Sequence, residues 1–329
     1  MKIAITGAAG FIGQKLIKHF LDNPVIATPT GAQAITELRL FDVIAPPVPA
    51  PGNAAIAIDT RVGDITDLDA LGQLIDGGVD AIIHLAAVVS SAAEADLDLG
   101  LRVNLEGTRA VLEACRTLPS PPLLLFASSV AVYGGDLPAV VRDDTALTPQ
   151  SSYGAQKVMG EQLINDFSRR GIIDGRVLRL PTIAVRPGKP NAAASSFASS
   201  IIREPLQGDT AILPVPEDLS VYLLSPRGVV RNLVHALGIS AEHFGGSRSL
   251  MLPGVTVTMA QMLAALERAG GPESRARVKT EPDPRIEAIV GSWPAVFETT
   301  KADSLGFTAD RDMDAIVAAF VEDDRLINE

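Results

Sequence analysis

The sequence of 329 residues predicts an α/β protein, a doubly wound parallel sheet followed by a smaller C-terminal domain. Three observations lead to this fold class. Apolar runs of strand length alternate with amphipathic helical patterns through the first half. A glycine-rich turn follows the first of these runs. After residue 181 the pattern changes to a stretch rich in Pro, Ala and Ser, followed by shorter mixed elements. We therefore expect one domain over residues 1–181 and a second mainly over 182–329, with room for some of its segments to return to the sheet.

Buried strands of a parallel sheet read as short apolar runs. The runs that we interpret as strands are "KIAIT" (2–6), "ELRLFDVI" (37–44), "AIAIDTRVG" (55–63), "DAIIHLA" (80–86) and "PLLLFAS" (122–128). The helical patterns between them are "FIGQKLIKHFL" (11–21), "TDLDALGQLI" (66–75) and "GLRVNLEGTRAVLEACRTL" (100–118). Residues 23–36 and 45–54 are expected to be loops, the second because its prolines interrupt both strand and helix.

Composition excludes several classes of protein. Hydrophobic residues make up 47% and charged residues 20% of the chain, which is typical of a globular protein. The net charge of −11 disfavours binding to nucleic acid or to anionic membranes. Cys115 is the one cysteine, so it is expected to be a buried thiol outside any intramolecular disulfide. No run approaches the ~18 apolar residues of a membrane span, and we expect a cytoplasmic protein.

The segment "TGAAGFIG" places three glycines between the first strand and its helix, at positions 7, 10 and 13. Glycines there permit a tight turn, a close approach of the backbone to a pyrophosphate, and packing of helix on strand. The spacing is GxxGxxG rather than the general GxGxxG, so a purely structural turn is the alternative. We predict that the loop binds a dinucleotide through Gly7, Gly10, Phe11, Ile12 and Gly13.

An acid after the second strand would hold the adenosine ribose of such a cofactor, and Asp42 stands there. It lies 29 residues beyond Gly13, later than the usual ~20, and residues 23–36 account for the offset as an insertion. A carboxylate repels a 2′-phosphate, which favours NAD over NADP. The alternative is a solvated acid at a strand end. Asp64 and Ile65, after the third strand, are placed to flank the adenine.

Tyr153 and Lys157 are four residues apart in "SSYGAQKVMGE" and lie on one face of a helix. An ammonium beside a phenol stabilises the phenolate and lowers a pKa that is about 10 in isolation. The pair could then take a proton from an alcohol. A solvated helix face is the alternative. Ser129 lies 24 residues before the tyrosine, at the carboxyl end of a strand, so both can converge on one crevice.

Together these segments resemble the extended short-chain dehydrogenases/reductases, the NAD-dependent epimerase/dehydratase group, over essentially the whole chain. The matching motifs are TGAAGFIG, VGDITD, HLAA (84–87), VNLEGT (103–108), SSVAVYG (128–134), YGAQK (153–157) and KADSLGF (301–307). The resemblance implies a Rossmann-type fold, bound NAD and a cytoplasmic enzyme. It also implies a possible homodimer through the helices that contain Asn104 and Tyr153.

The resemblance also implies site roles. Ser129 would hold the substrate oxygen, Tyr153 would be the acid/base, and Lys157 would hold the nicotinamide ribose. Asn104 matches a position whose backbone distortion supports a proton relay, with an ordinary polar helix residue as the alternative. His84 is expected to be a strand-end residue rather than a catalyst. The remaining cofactor contacts would come from Leu85, Ala86, Ala87, Pro181 and Ile183. No metal site is expected, because His19, His235 and His243 show no ligand spacing.

The substrate half departs from the usual sugar-nucleotide pattern, Arg-x-x-Asn-x-Tyr-Gly-Pro, at residues 179–206. This segment and residues 291–307 resemble those of the dehydrogenases of small sugar acids such as D-erythronate. The reaction expected is NAD-dependent oxidation of a C2 hydroxyl to a 2-oxo acid. One alternative is a nucleotide-sugar 4-epimerase that retains its NAD. The other is a non-catalytic NAD-binding regulator, which the intact Ser129, Tyr153 and Lys157 disfavour.

A small acid needs a cationic partner for its carboxylate, and "RPGKP" offers Arg186 and Lys189. Ser195 and Ser196 stand where the next helix should begin, a place that can receive an anion or simply cap the helix. We expect Arg186 and one of these serines to bind the carboxylate, with Lys189 or Arg203 next in order. A surface ion pair is the alternative for Arg186.

Overall fold

The computed structural model describes residues 1–48, 56–188 and 195–324. The chain divides into two compact units. The first unit contains Met1–Val132, Ser151–Arg179 and Val230–Leu250. The second contains Tyr133–Gln150, Leu180–Val229 and the chain from Met251 onward. The assignment of 1–181 and 182–329 to separate domains of distinct function stays a prediction.

Strands and helices alternate through the first half, except that four strands follow one another between residues 25 and 62. The strands are β1 (Lys2–Thr6), β2 (Val25–Thr28), β3 (Gly31–Ala34), β4 (Glu37–Asp42), β5 (Ala57–Val62), β6 (Ala81–His84), β7 (Leu123–Ser129), β8 (Asp174–Leu180), β9 (Thr182–Ile183), β10 (Ala211–Leu213), β11 (Ser220–Leu224), β12 (Ser249–Met251), β13 (Val255–Thr258) and β14 (Val278–Thr280). The helices are α1 (Phe11–Asp22), α2 (Leu68–Ile75), α3 (Ser90–Ala95), α4 (Leu97–Gly100), α5 (Gly107–Cys115), α6 (Ser152–Arg169), α7 (Ser196–Gln207), α8 (Pro226–Gly238), α9 (Ala241–Phe244), α10 (Met259–Ala276), α11 (Pro284–Gly291), α12 (Thr300–Ser304) and α13 (Met313–Asp323). A π-helical turn covers Leu101–Glu106, and a 3-10 turn covers Val130–Val132.

A seven-stranded sheet forms the centre of the first unit, in the order β12-β8-β7-β6-β1-β4-β5. The pairs β7–β6, β6–β1, β1–β4 and β4–β5 are parallel. All five apolar runs that the sequence predicted as strands lie in this sheet. The predicted α/β class with a doubly wound parallel sheet is confirmed.

Both faces of the sheet are buried, as the near-continuous apolar strands require. On one face Ala4, Ile82 and Leu124 pack in a core with side chains of α2, α5 and α6. The neighbouring residues Ile3 and Ile5 point to the opposite face and are also fully buried. The carboxyl ends of the strands are therefore left as the edge where polar side chains can meet a ligand.

The prediction of a loop over residues 23–36 is wrong, because this segment contains the antiparallel hairpin β2–β3. Val25 and Ile26 are β-branched residues that favour a strand, and Ile26 is buried. Gly31, with φ of 116°, follows the turn. Each strand has four residues, and Ile26 is the one buried residue in them, so the alternation of polar and apolar residues that marks a half-buried strand is absent here.

Several other boundaries also differ from the prediction by a few residues. The strand over 37–44 ends at Asp42, and the strand over 55–63 runs only from Ala57 to Val62. Residues 45–48 have no regular structure, as expected, and 49–55 lie outside the described residues. The helix over 100–118 is not uniform, because it begins with a π-helical turn before α5.

The second unit has its own core. Strands β13, β11 and β9 form a three-stranded sheet, and β10 pairs with β14. Helices α7, α10 and α13 bury apolar side chains in this core, among them Ile201, Leu266 and Phe320. Within the described residues, no helix has the length and apolar character needed to cross a membrane. Nor does any cluster of three or more potential metal ligands occur in the described ranges.

A chain of neutral hydrogen bonds crosses the first unit at the ends of β1 and β6. His84 is buried, with Nδ1 2.6 Å from the Thr6 hydroxyl and Nε2 3.1 Å from the Thr108 hydroxyl. Thr108 donates its hydroxyl proton to the carbonyl of Asn104, at 2.7 Å. It must therefore accept from Nε2–H of His84, which leaves Nδ1 to accept from Thr6. Burial, and secondarily the charge of Lys157, lowers the pKa of His84 to about 3.

This burial predicts a specific loss of stability in acid. The pKa of His84 is lower in the folded chain than its ordinary value of 6.5, so the unfolded chain binds the extra proton as pH falls through 6.5. Between pH 7 and pH 5 this group alone should remove about 2 kcal/mol of unfolding free energy. Urea unfolding at the two pH values measures it.

The variant His84→Asn should show a difference between pH 7 and pH 5 that is smaller by that amount, whatever its absolute stability. The control His243→Asn changes an exposed histidine and should keep the parent's difference. An unchanged difference in His84→Asn would assign the acid sensitivity to other groups.

Candidate active site

The glycine loop lies against the end of β6. Gly7 has φ of 74°, and a Cβ atom there would be 2.6 Å from the backbone N of Ala86. A Cβ on Gly13 would be 2.5 Å from the carbonyl O of Gly7. Both distances are far below van der Waals contact, so only glycine fits at either position. The loop therefore brings the predicted residues Gly7, Gly13, Leu85 and Ala86 together, with Leu85 donating its N–H to the carbonyl of Thr6 at 3.0 Å.

Helix α1 begins at this loop with donors that its own sequence does not satisfy. Gly10 is the N-cap residue, no side chain caps the helix, and its first turn contains no acid. A Cβ on Gly10 would meet only the carbonyl O of Gly7, at 3.2 Å, so the space beyond is open. Free N–H groups at a helix start bind phosphate. The helix start, with Phe11 and Ile12 in its first turn, thus fits the pyrophosphate of a dinucleotide.

Asp42 ends β4 beside the same loop. Its Oδ2 accepts the backbone N–H of Ala9 at 2.9 Å, so the carboxylate is fixed against the glycine turn. Its own carbonyl accepts the N–H of Gly63, which follows β5. A fixed acid at this strand end fits the hydroxyls of an adenosine ribose. The insertion over residues 23–36 has not moved it from the position that the sequence predicted.

Asp64 and Ile65 follow β5 at the same edge of the sheet. The carboxylate of Asp64 accepts from the backbone and hydroxyl of Thr66 and pairs with Arg102 at 2.9 Å. The hydrogen bond from the Thr66 backbone is the largest cause that lowers the pKa of Asp64. Ile65 is buried under α5, where a Cβ on Gly107 would be 2.5 Å from its Cγ2. Contact of Asp64 and Ile65 with adenine stays a prediction.

Helix α6 carries the tyrosine and lysine in its first turns. Its N-cap, Ser151, accepts the N–H of Gly154 through its hydroxyl, at 3.1 Å. Lys157 lies with its Nζ 5.5 Å from the centroid of the Tyr153 ring and 4.7 Å from that of Phe126. The expected arrangement on one helix face is therefore present. The alternative of a solvated face does not hold for Lys157, which is only 4% exposed.

The lysine is tied to the strand that ends in the predicted serine. Its Nζ donates to the carbonyl of Ala127 at 2.8 Å. Two residues later Ser129 ends β7, and its hydroxyl accepts the N–H of Ala131 at 3.1 Å. The structure thus brings α6 and the carboxyl end of β7 together, as the sequence predicted. Burial lowers the pKa of Lys157 to about 8, and the charge of Glu161 opposes that shift.

Asn104 lies within the π-helical turn, so the backbone there departs from a regular α-helix. Its Oδ1 accepts the N–H of Val88 at 2.8 Å, and its Nδ2 donates to the Val88 carbonyl and to Oε1 of Gln156. The side chain is buried and links the segment after β6, which contains Ala87, to helix α6. These hydrogen bonds give Asn104 a structural role. A role of Asn104 in a proton relay stays a prediction.

The sequence prediction missed four buried polar residues around Lys157: Ser128, Gln156, Glu161 and Arg179. Glu161 could have been predicted, because it stands four residues after the lysine and so lies on the same helix face. Gln156 precedes the predicted residue Lys157, and Ser128 precedes the predicted residue Ser129. No sequence spacing indicates that an amide or a hydroxyl side chain is part of a buried network. Arg179 lies on β8, and its proximity follows only from the strand order.

The residues predicted to bind the substrate carboxylate occur in the second unit. Arg186 donates from Nη2 to the hydroxyl of Ser195 at 3.2 Å and from Nε to the carbonyl of Ile183. Ser195 is the N-cap of α7 and makes no side-chain capping bond, while Ser196 begins the helix. Arg203 donates to the carbonyl of Arg186 at 2.6 Å. Pro181 and Ile183 also lie in this unit, and Lys189 lies outside the described residues.

Comparison with known proteins agrees with this geometry. Residues 3–237 match the NAD dependent epimerase/dehydratase family. D-erythronate dehydrogenase of Cupriavidus necator is 51% identical over 323 residues, which cover 98% of both chains. The enzyme of the same name from Haemophilus influenzae is 44% identical over 324 residues, covering 98% of this chain and all of that one.

A solved structure gives the same result. The nucleoside-diphosphate-sugar epimerase from Agrobacterium tumefaciens superposes with a TM-score of 0.92 at 40% identity, covering 98% of this chain and 94% of that one. The predicted resemblance and the prediction of an NAD-dependent dehydrogenase are confirmed. By its residues, its fold and these relatives, the chain belongs to the NAD dependent epimerase/dehydratase family, the extended short-chain dehydrogenases/reductases.

Proposed function

We propose that the protein oxidises a small sugar acid, D-erythronate or a close analogue, at its C2 hydroxyl to the 2-oxo acid, with reduction of NAD. The observation that carries the proposal is the Tyr153–Lys157 pair on α6, tied through Ala127 to the strand end that bears Ser129. The names of the two relatives with near-full-length identity support the substrate class.

The proton is moved by residues of the chain. Ser129 donates a hydrogen bond from its hydroxyl to the oxygen of the substrate hydroxyl and so orients it. Tyr153, as phenolate, takes the hydroxyl proton at its Oη when the C–H bond breaks. Lys157 places a positive charge near that ring in a site screened from water, which favours the phenolate over the neutral phenol. When bound, NAD is the acceptor of the hydride.

The residues present fit that cofactor. The start of α1, which no side chain caps, would receive the pyrophosphate, and Asp42, fixed by the N–H of Ala9, would accept from the adenosine ribose. A carboxylate at the latter position disfavours the extra phosphate of NADP by charge repulsion. Lys157 would hold the nicotinamide ribose, with further contacts from Leu85, Ala86 and Ala87. Contacts from Pro181 and Ile183 stay a prediction of the sequence.

A four-carbon acid has few atoms, so a charge-assisted contact must supply much of its orientation. Arg186 and Ser195, already hydrogen-bonded to each other, are assigned to the carboxylate. The planar arginine fork matches a carboxylate better than a lysine would. Ser196, at the first turn of α7, presents a backbone N–H in the same region.

A second function, epimerisation of a nucleotide sugar, is supported by the name of the Agrobacterium tumefaciens structure. The two functions differ in what happens to NAD. The decisive experiment supplies purified protein with NAD and a panel of four-carbon sugar acids, and follows absorbance at the NADH wavelength. A net dehydrogenase accumulates NADH. An epimerase returns the hydride to its substrate and converts a nucleotide sugar without net absorbance change.

Tyr153→Phe should lower kcat by about 100- to 10,000-fold, because only the ionisable oxygen is lost. NAD binding, measured by fluorescence titration, should be unchanged. The control Tyr222→Phe removes a hydroxyl that donates to the carbonyl of Leu252 and should retain turnover. Activity of Tyr153→Phe within tenfold of the parent would exclude the tyrosine as the base.

Asp42→Ser should narrow the preference for NAD over NADP, measured as the ratio of kcat/KM values, by about tenfold, since charge repulsion of the 2′-phosphate is lost. The matched control is Asp59→Ser, on the neighbouring strand β5, whose acid pairs with Arg61. A parent enzyme that already prefers NADP would contradict the assignment of Asp42 to the ribose.

Arg186→Met should raise KM for the sugar acid more than about tenfold, because a charged hydrogen-bond partner of the carboxylate is removed. NAD binding should not change. Arg275→Met, which removes an exposed partner of Glu217, serves as the control. If KM is unchanged in Arg186→Met, the carboxylate binds elsewhere, with Lys189 and Arg203 as the next variants.

A further inference from the structure

A buried ion pair lies one helical turn beyond Lys157. Glu161 on α6 is fully buried, and the side chain of Arg179 on β8 is 6% exposed. The guanidinium binds both carboxylate oxygens, with Nε 3.0 Å from Oε1 and Nη2 2.8 Å from Oε2. The carboxylate also accepts the hydroxyl of Ser128 at 2.5 Å. Helix α6 and strands β7 and β8 are thus joined at one carboxylate.

Stability alone gives no reason for such a pair. Removing two charges from water costs about as much free energy as their attraction returns, and apolar residues of similar volume often serve equally well. The reason must lie in what the charges do for their neighbours. The neighbours here are the residues of the proposed catalytic site.

The ion pair is connected by hydrogen bonds to the strand end that carries Ser129. Lys157 binds the carbonyl of Ala127, and Glu161 binds the hydroxyl of Ser128, the next residue. Two side chains from successive turns of α6 therefore hold consecutive residues of β7. Ser129 follows directly, so its position is set by these two contacts.

The pair also acts on the charge of Lys157. Two other groups lie near this lysine: His84 on β6, which is neutral, and Tyr153, which carries the phenol of the proposed mechanism. Glu161 is the acid on its own helix face, one turn away, and its charge raises the pKa of the lysine against the effect of burial. Arg179 binds that acid in turn, through hydrogen bonds from its guanidinium to both carboxylate oxygens.

We propose that Glu161, held by Arg179, is a positioning residue that keeps Lys157 charged and fixes the strand end bearing Ser129. The inference rests on the proposed function, in which Tyr153 and Lys157 carry the proton chemistry. It assigns a role to two residues that touch neither the substrate nor the cofactor in that mechanism.

The test measures the lysine directly. The full-length protein labelled with ¹³Cε-lysine is titrated by NMR with and without NAD, and the Lys157 signal is assigned by its absence in Lys157→Met. Glu161→Gln keeps the shape of the side chain but removes its charge. In this variant the pH at the midpoint of the Lys157 titration should fall by about one unit. Asp166→Asn, the same change at an exposed acid of the same helix, should leave the midpoint unchanged.

Two further variants separate charge from shape. Glu161→Asp keeps the charge but shortens the reach to Ser128, so the Lys157 midpoint should stay near the parent value while kcat falls. Glu161→Gln should lose about tenfold in kcat at pH 8, because the neutral lysine no longer stabilises the phenolate. If Glu161→Gln does not fold, Glu161→Gln/Arg179→Met removes both charges and should still lower the midpoint, though by less.

An unchanged Lys157 midpoint in Glu161→Gln, or in the double variant, would overturn the proposal and leave the pair a purely structural contact, even if the melting temperature fell. The titration requires no substrate. A parent protein that oxidises no sugar acid would therefore contradict the proposed function alone, and the lysine midpoints would still decide the role of Glu161.

Discussion

The burial of the Lys157 ammonium is the constraint on which the packing of helix α6 against strand β7 in the first unit depends. The ammonium is almost wholly buried, and an isolated charge in that environment favours its neutral form. The carbonyl of Ala127 accepts a hydrogen bond from this ammonium, and the aromatic rings of Phe126 and Tyr153 lie within reach of its charge. Strand β7, helix α6 and the acid behind them must therefore keep their relative positions for the lysine to stay charged.

The polar interior of this unit contains two kinds of network. The pair Glu161–Arg179 is ionic and lies beside a group whose charge matters for the proposed chemistry. The chain from Thr6 through His84 and Thr108 to Asn104 is neutral, with each donor directed at one acceptor. A neutral chain costs less to bury than a charged one. It connects the strand end at the glycine loop with the π-helical turn and adds no charge near the start of α1.

Much of the fold and part of the site could be predicted from local patterns. The five apolar runs gave the strands because a strand buried on both faces leaves no polar positions. The glycine loop and Tyr153–Lys157 depend on residues close in sequence, so spacing alone describes their geometry. The hairpin β2–β3 was missed because it is short and exposed, with only Ile26 buried in its first strand. The π-helical turn at Asn104 was missed as backbone geometry, since helical periodicity does not distinguish it from an α-helix.

The sequence by itself determined the fold class, and it predicted the glycine loop as a cofactor site, the acid at Asp42 and the roles of the tyrosine, lysine and serine. Each depends on a contact within one strand–turn–helix segment or on the position of a residue at a strand end. Only the tertiary structure decided which distant side chains surround them. Strand β8 brings Arg179 to Glu161, and the segment after β6 meets Asn104, because neighbours in a parallel sheet are set by strand order and not by distance along the chain. The charge environment of Lys157 is a property of that packing, and no spacing in the sequence encodes it.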